Sequence, residues 1–169
     1  VGDSNSWQVG LSHIAAEVVD RSGATDTDPA TAAETFTGES DLTVFDFVWK
    51  WAPQGNSSIQ SFKVQGEYFR RAENGLYDGI DYDGDQTGWY VQGVWQFAPL
   101  WRLGVRHDVV DADNGPLPAG TALQDPGRTS DRSSMMLDWS PSEFSRLRMQ
   151  FTNDNVLSQS DQQWFLQYI

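Results

Sequence analysis

Large apolar and polar side chains alternate along this chain, and this period of two residues is the feature that most constrains its fold. The alternation is clearest over residues 87–110, which read TGWYVQGVWQFAPLWRLGVRHDVV. One parity carries Trp89, Val91, Trp95, Phe97, Trp101, Leu103 and Val105, and the other carries Gln92, Gln96, Arg102 and Arg106. A period of two places successive side chains on opposite faces of a β-strand. The stretch therefore predicts two strands paired as a hairpin around the turn Ala-Pro-Leu.

Similar alternation elsewhere brings the number of predicted strands to eight. Besides the two in residues 87–110, we expect strands at 6–19, 42–51, 58–71, 133–139, 145–152 and 162–169. In the first of these the apolar parity changes near His13, which predicts a β-bulge there. The facing of the last strand, QQWFLQYI, is ambiguous. Helical periodicity is weak throughout, so the predicted fold class is all-β.

The connections between the predicted strands alternate in length. Long ones follow the first, third and fifth strands, a medium one follows the seventh, and short ones follow the second, fourth and sixth. In an up-and-down meander, all the longer connections share one end of the sheet. Eighteen of the 24 acidic residues lie in or beside them, so the net charge of -13 is expected mostly at that end.

Two kinds of antiparallel sheet fit this pattern. A soluble sandwich or barrel alternates because one face covers a core, whereas a transmembrane barrel alternates because one face meets lipid. The many rings on one parity, the charges on the other and the asymmetric connections favour an antiparallel up-and-down transmembrane β-barrel. It would form one domain or barrel segment over residues 1–169. Its aromatic girdle is predicted at Trp49, Trp51, Trp89, Trp95, Phe97, Trp101 and Trp139.

Composition removes several alternatives. The net charge of -13 argues against nucleic acid as a partner, because a phosphate backbone attracts basic surfaces. The chain has no cysteine, which excludes disulfides, thiol catalysis and cysteine-ligated zinc. No run approaches the roughly 18 apolar residues of a membrane helix. The first residues, VGDSNSW, lack Met and the features of a signal peptide, so we expect a processed product or a fragment.

Two motifs near the end of the sequence carry a family resemblance. SPSEFSRLRMQFTNDN, residues 140–155, and QQWFLQYI, residues 162–169, resemble the C-terminal end of a family of proteobacterial outer-membrane porin-like proteins. Many members are described as zinc-regulated or TonB-dependent outer-membrane receptors. In that family a turn matching Ser140 to Phe144 joins two late strands, and a run matching Phe165 to Ile169 leads into the last strand.

The resemblance implies a location and partners. Family members are longer and continue beyond the isoleucine to an aromatic C-terminus, so the chain would be the C-terminal part of a larger barrel. That barrel would lie in the outer membrane of a Gram-negative bacterium, with the lipid bilayer, lipopolysaccharide and small solutes as partners. The resemblance is also compatible with a homo-oligomer. Neither a plug domain nor a TonB-box segment is recognisable in this sequence.

The polar parity supplies the candidate functional residues. We predict a lumen lined by Lys50, Lys63, Glu67, Arg102, Arg106, Asp138, Arg146 and Arg148, with Asp46 and Asp108 also facing inward. Such charges can select ions in a channel, and this set is mildly basic. The alternative is a structural network of Arg–Asp and Arg–Glu pairs across neighbouring strands. The ion-selecting lumen and the structural network are compatible with each other.

An acidic stretch and two histidines are the candidates for metal binding. DGIDYDGDQ carries Asp78, Asp81, Asp83 and Asp85, whose spacing is similar to that of loops that bind calcium or another divalent ion. The glycine stands one place early for an EF-hand and the closing Glu is missing, so a solvated acidic loop is the alternative. We expect His13 and His107 to be strand residues rather than zinc ligands.

The sequence predicts transport rather than catalysis. The serines and acids of SMMLDWSPSEF have no histidine nearby, and no Gly-x-Ser-x-Gly motif occurs, so no enzyme is expected. The leading hypothesis is a porin-like channel or receptor for uptake of small solutes, anions or metal species, through the polar, arginine-lined lumen. The alternative is a narrow non-conducting barrel that acts as an anchor or binds partners through acidic extracellular loops.

Overall fold

The fold is one antiparallel sheet of eight strands. The computed structural model describes residues 3–22, 35–114, 117, 127–156 and 160–169. The strands follow one another across the sheet in chain order, so the predicted up-and-down arrangement is confirmed. They are β1 (Asn5–Ser22), β2 (Thr35–Trp51), β3 (Ser61–Tyr77), β4 (Ile80–Ala98), β5 (Trp101–Asn114), β6 (Ser130–Ser142), β7 (Ser145–Asp154) and β8 (Asp161–Tyr168).

The sheet is not closed into a barrel. Each strand pairs with its neighbours in sequence, and no pairing joins β1 to β8 among the described residues. Connections 52–60, 99–100 and 143–144 define what we call the turn end of the sheet. The opposite end, which we call the loop end, carries connections 23–34, 78–79, 115–129 and 155–160. A 3₁₀ turn at Pro53–Gly55 lies in the first turn-end connection.

Strand register keeps the two parities on separate faces across the whole sheet. One row of partners runs Leu11, Phe45, Tyr68, Trp89 and Val109 from β1 to β5. The next residue along each strand belongs to the other face, where Asp46, Glu67, Tyr90, Asp108 and Arg132 form a row from β2 to β6. We call these the apolar face and the polar face.

Burial is inverted relative to an ordinary soluble sheet. Asp138 and Glu73 on the polar face are 1% and 2% exposed, whereas Trp7 and Val105 on the apolar face are 59% and 54% exposed. The buried hydrophobic cluster, which contains Tyr82, also lies on the polar face. The polar face is therefore the enclosed side of the sheet. Among the described residues, no helix is long and apolar enough to span a membrane.

The predicted long connection after the third strand is wrong. Residues 72–86 belong to β3 and β4, which meet at a two-residue turn of Asp78 and Gly79. Both turn residues have positive φ, 51° and 79°, as a type I′ hairpin requires. The loop end therefore has one tight connection, and the strict alternation of long and short connections does not hold there.

The predicted bulge near His13 is also wrong. Register with β2 is continuous from Asn5 to Val18 and shifts only between Val18 and Arg21, where Asp20 has a φ of 50°. Ile14 and Val18 therefore both lie on the polar face, and Val18 packs against the buried cluster at the loop end. The apolar residues change parity because the polar face becomes apolar at its loop end, without a change in backbone phase. In β8 the register places Trp164, Leu166 and Tyr168 on the apolar face.

Candidate functional site

The candidate site is the polar face. All eight side chains predicted to line a lumen, and Asp46 and Asp108 with them, lie on this face. They do not converge on one point. The structure divides them between ion-paired networks and a set of unpaired cations at the turn end.

A central network joins β3, β4 and β5. The Tyr90 hydroxyl donates to Glu67 Oε1 at 3.0 Å, and the Arg106 guanidinium lies 3.9 Å from the centroid of the Tyr90 ring. Arg106 Nε donates to both carboxylate oxygens of Asp108, at 2.9 and 3.0 Å, and Nη1 reaches Gln92 Oε1 at 3.4 Å. The charge of Arg106 is therefore balanced locally, and its position is fixed by a carboxylate and a ring.

A second network joins β6 and β7. Arg148 donates from Nε to Asp138 Oδ1 at 2.7 Å and from Nη2 to Oδ2 at 2.9 Å, a two-point ion pair. Arg102 lies opposite Asp138 on its other side, in β5. Both Asp138 oxygens accept from Arg148, and the side chain of Arg102 has no hydrogen bond or ion pair with any described residue.

The loop end of the polar face holds a buried carboxylate that sequence reasoning missed. Glu73 accepts from Arg21 Nη1 at 2.6 Å and Nη2 at 3.0 Å, and from Ser40 Oγ at 2.8 Å. Arg71 Nη2 lies 3.3 Å from its Oε2. Burial alone would raise the pKa of Glu73, but the hydrogen bonds from Arg21 and Ser40 and the charge of Arg71 hold that pKa below its ordinary value.

A small apolar core lies beside this carboxylate. The Phe36 and Tyr82 ring centroids are 5.7 Å apart, and those of Tyr77 and Tyr82 are 5.9 Å apart. The Tyr82 hydroxyl and Gln86 Nε2 both donate to Asn114 Oδ1 at 3.1 Å. This core fills the polar face at the loop end and was missed because most of its residues fall in stretches predicted as loops.

The acidic stretch does not form a metal-binding loop. Asp78 occupies the turn, while Asp81, Asp83 and Asp85 alternate along one face of β4. Side chains two residues apart on a strand are spaced by nearly 7 Å, so three in a row cannot wrap one ion. Asp85 is already paired with Arg70 through Arg70 Nε, at 2.8 and 3.0 Å. The described residues contain no group of three or more His, Cys, Asp or Glu able to hold a metal ion.

The two histidines are strand residues, as predicted, and the register places both on the apolar face. His13 Nδ1 lies 3.0 Å from Thr43 Oγ1, and its Nε2 lies 3.5 Å from Asp41 Oδ1. His107 Nδ1 lies 2.8 Å from Ser133 Oγ. Each histidine thus has a single hydroxyl partner across a strand pair, and the structure does not bring the two together.

The apolar face collects every tryptophan of the chain. The register assigns to it Trp7, Trp49, Trp51, Trp89, Trp95, Trp101, Trp139 and Trp164. The seven residues predicted as an aromatic girdle all lie on this face. Trp101 and Trp139 stack at a centroid distance of 6.0 Å, and Trp95 lies 5.7 Å from Phe97. Those four rings lie at the turn end, whereas Trp89 lies opposite Tyr68 farther toward the loop end.

Comparisons with known proteins leave the family of the chain open. No model of a known protein family matches it. No solved structure matches it. One curated relative is similar, an uncharacterized protein of Aquifex aeolicus (strain VF5), with 27% identity over 112 residues. The match covers 62% of this chain and 23% of that protein, so the chain spans less than a quarter of the length of the relative it matches.

Proposed function

We propose that this chain is part of a β-barrel in the outer membrane of a Gram-negative bacterium, and that the barrel admits small solutes along its polar face. The intact barrel would be a porin-like channel or receptor. The resemblance of residues 140–155 and 162–169 to outer-membrane porin-like proteins supports the location.

The observation that carries the proposal is the inverted burial of the two faces. An exposed apolar patch beyond a few hundred Å² is unusual on a soluble monomer and marks contact with a partner or a membrane. Here the exposed patch crosses all eight strands and includes Leu11, Phe45, Trp95, Met135 and Leu166. Lipid is the partner that matches its composition, because aromatic rings crowd its turn end and further exposed apolar side chains, among them Phe45 and Met135, continue it toward the loop end.

A larger closed barrel is the form in which the polar face would conduct. Both edges of the sheet, β1 and β8, are unpaired on their outer sides among the described residues. The match covers 23% of the relative from Aquifex aeolicus. An intact protein of that length would have enough residues to form further strands at these edges. Additional strands would close the sheet with water between its polar faces.

Tryptophan fluorescence tests the membrane part directly, because all eight tryptophans lie on the apolar face. We would reconstitute the intact protein in phospholipid vesicles with bromine-labelled acyl chains and compare it with the same protein in unlabelled vesicles. Strong quenching by the acyl chains is expected. Acrylamide added to the water should quench weakly in the same sample. Weak quenching by the brominated acyl chains would place the apolar face away from lipid and refute the membrane proposal.

Single-channel conductance of the intact protein in planar bilayers tests the transport part. Ion-conducting openings are expected from a large barrel with a polar lumen. Membrane insertion without any conductance would instead favour the narrow or plugged barrel.

A narrow non-conducting barrel is the second candidate, and one observation favours it. The core of Phe36, Tyr77 and Tyr82 and the buried pair of Arg21 with Glu73 already fill the polar face at the loop end. An eight-stranded barrel has an interior just wide enough for its own side chains. Such a barrel would act as an anchor or would bind partners through its acidic loop end.

A further inference from the structure

We infer that four cations at the turn end of the polar face, Lys50, Lys63, Arg102 and Arg146, form a selective row for small anions. The inference rests on the proposed conducting barrel and names the class of solute that its lumen would favour. We call these residues the turn-end cations.

The strand positions of the turn-end cations bring them to the same end of the sheet. Lys50 is the second-last residue of β2 and Lys63 the third residue of β3. Arg102 and Arg146 are the second residues of β5 and β7. Antiparallel neighbours joined by short turns bring these strand ends together, so the four side chains lie along the same end of the polar face.

Pairing separates the turn-end cations from the other basic residues of the polar face. Arg21, Arg106, Arg132 and Arg148 each have a carboxylate partner. Within the described residues, the turn-end cations have none within ion-pair distance. A charge already neutralised by a fixed carboxylate adds little to the field in a pore, whereas an unpaired one attracts counter-ions. The selecting residues are therefore these four rather than Arg106 and Arg148.

Lys50 and Lys63 lie directly opposite each other across β2 and β3. Like charges in this arrangement destabilise a sheet by a few tenths of a kcal/mol or more, so the pair is explained better by function than by folding. Both lysines line one turn-end cavity together with Ser6, Ser61 and Asp3. Ser6 and Ser61 can hydrogen-bond an anion, and Asp3 forms no ion pair with either lysine in the described part of the chain.

Arg146 gives a second indication that hydrogen-bond acceptors are lacking at the turn end. Its Nε is buried and has no hydrogen-bond partner among the described residues, and the same holds for Ser140 Oγ. The two residues lie within the register shift between β6 and β7. A buried donor without an acceptor is unfavourable, and an anion is the ligand that supplies acceptor atoms and charge together.

Asp138 lies opposite Arg102 but is paired with Arg148, and the unpaired acidic residues on the strands of the polar face lie too far away to cancel this charge. On these strands the nearest carboxylates without an ion pair are Asp46 and Glu67, partners in register four residues from Lys50 and Lys63. Four residues of strand span about 13 Å, which exceeds the Debye length of about 8 Å at physiological ionic strength. At the turn end itself, Asp3 lines the cavity of the two lysines and Glu143 is exposed in the β6–β7 turn, so the four cations outnumber these two carboxylates. An ion at the turn end is therefore governed mainly by the cations there.

Reversal potentials in planar bilayers test the inference. The intact protein would separate two potassium chloride solutions of different concentration, and chloride is expected to permeate better than potassium. The double variants Lys50→Gln/Lys63→Gln and Arg102→Gln/Arg146→Gln should each lower the chloride-to-potassium permeability ratio roughly threefold to fivefold. Two unit charges, each about 10 Å from an ion in water, together act with about this strength. The charge-retaining Lys50→Arg/Lys63→Arg variant should keep the ratio of the unaltered protein.

The matched control is the double variant Arg70→Gln/Arg132→Gln, which removes two positive charges elsewhere in the sheet. Arg70 lies on the apolar face and Arg132 lies on the polar face near the loop end, so this variant should not change the ratio by as much as twofold. Conducting channels whose ratio is the same in all variants would overturn the inference and leave the proposed transport standing. Failure of every variant and of the unaltered protein to conduct would overturn both together.

Discussion

Removing the charge of Glu73 should destabilise the protein more than any other single loss of a carboxylate at the loop end. Its side chain is 1% exposed and accepts from Arg21 twice and from Ser40. Glu73→Gln keeps the shape but leaves Arg21 and Arg71 without a counter-charge. Hydrogen bonds to charged groups contribute about 1.5–3 kcal/mol each. Arg21 and Arg71 are 35% and 34% exposed, so hydration of their guanidinium groups offsets part of the lost interaction energy. We expect the free energy of unfolding to fall by about 2–3 kcal/mol.

The assay is urea unfolding of the protein reconstituted in vesicles, followed by tryptophan fluorescence. Glu39→Gln is the matched control, because Glu39 is exposed on the apolar face of β2 next to Ser40. It should change the free energy of unfolding by less than about 0.5 kcal/mol. The double variant Arg21→Met/Glu73→Gln should lose less unfolding free energy than the two single variants lose in sum, and the difference should be about 1–2 kcal/mol.

The pH dependence gives a second check on the same carboxylate. The pKa of Glu73 is lower in the folded protein than the ordinary value of 4.5. Its stabilisation is therefore complete above pH 4.5 and is lost as the pH falls through the folded-state pKa. The difference in unfolding free energy between the unaltered protein and Glu73→Gln should shrink in that acid range. A difference no larger than that of Glu39→Gln, or one that stays constant down to pH 3, would refute the reasoning.

Two further predictions concern the packing of the polar face. Gly38→Ala should cost about 2 kcal/mol or more, because its Cβ would lie 2.3 Å from the backbone oxygen of Asn74, whereas Gly93→Ala, with nearest contacts of 3.7 Å, should be close to neutral in the same unfolding assay. Asp138→Asn should cost about 2–3 kcal/mol by removing the two-point partner of Arg148, and an equal loss from Asp83→Asn, which alters an exposed carboxylate, would contradict that assignment.

Alternation was sufficient to predict the number of strands and the two faces. In the middle of β2 to β7 the parity of rings against charges is continuous, and the register preserves it from strand to strand. Neighbouring strands joined by short turns, such as β4 and β5, are also antiparallel partners almost by necessity. The residues assigned to each face from their parity therefore lie on that face in the structure.

The loop end was harder to predict because two local signals there compete. Acidic residues and glycines between 72 and 86 are typical of loops, but Asp78–Gly79 is also the preferred pair of a type I′ hairpin turn. Given that signal, Tyr77 and Tyr82 could have been assigned to two paired strands. Long-range partners remained out of reach, since the bidentate contact of Arg21 with Glu73 joins residues 52 positions apart on strands that are not neighbours.

The overall charge of the chain does not oppose an anion-selective turn end. Attraction depends on the charges within a screening length, and that length is about 8 Å in physiological salt. Lys63 and Glu73 are ten residues apart on β3, which corresponds to about 33 Å along the strand. Glu39, Asp78 and Asp81 lie level with Glu73 or farther toward the loop end, so they are at or beyond that distance. An acidic loop end would reduce the entry of anions without changing which ion the turn end favours, so the two ends can be altered separately by substitution.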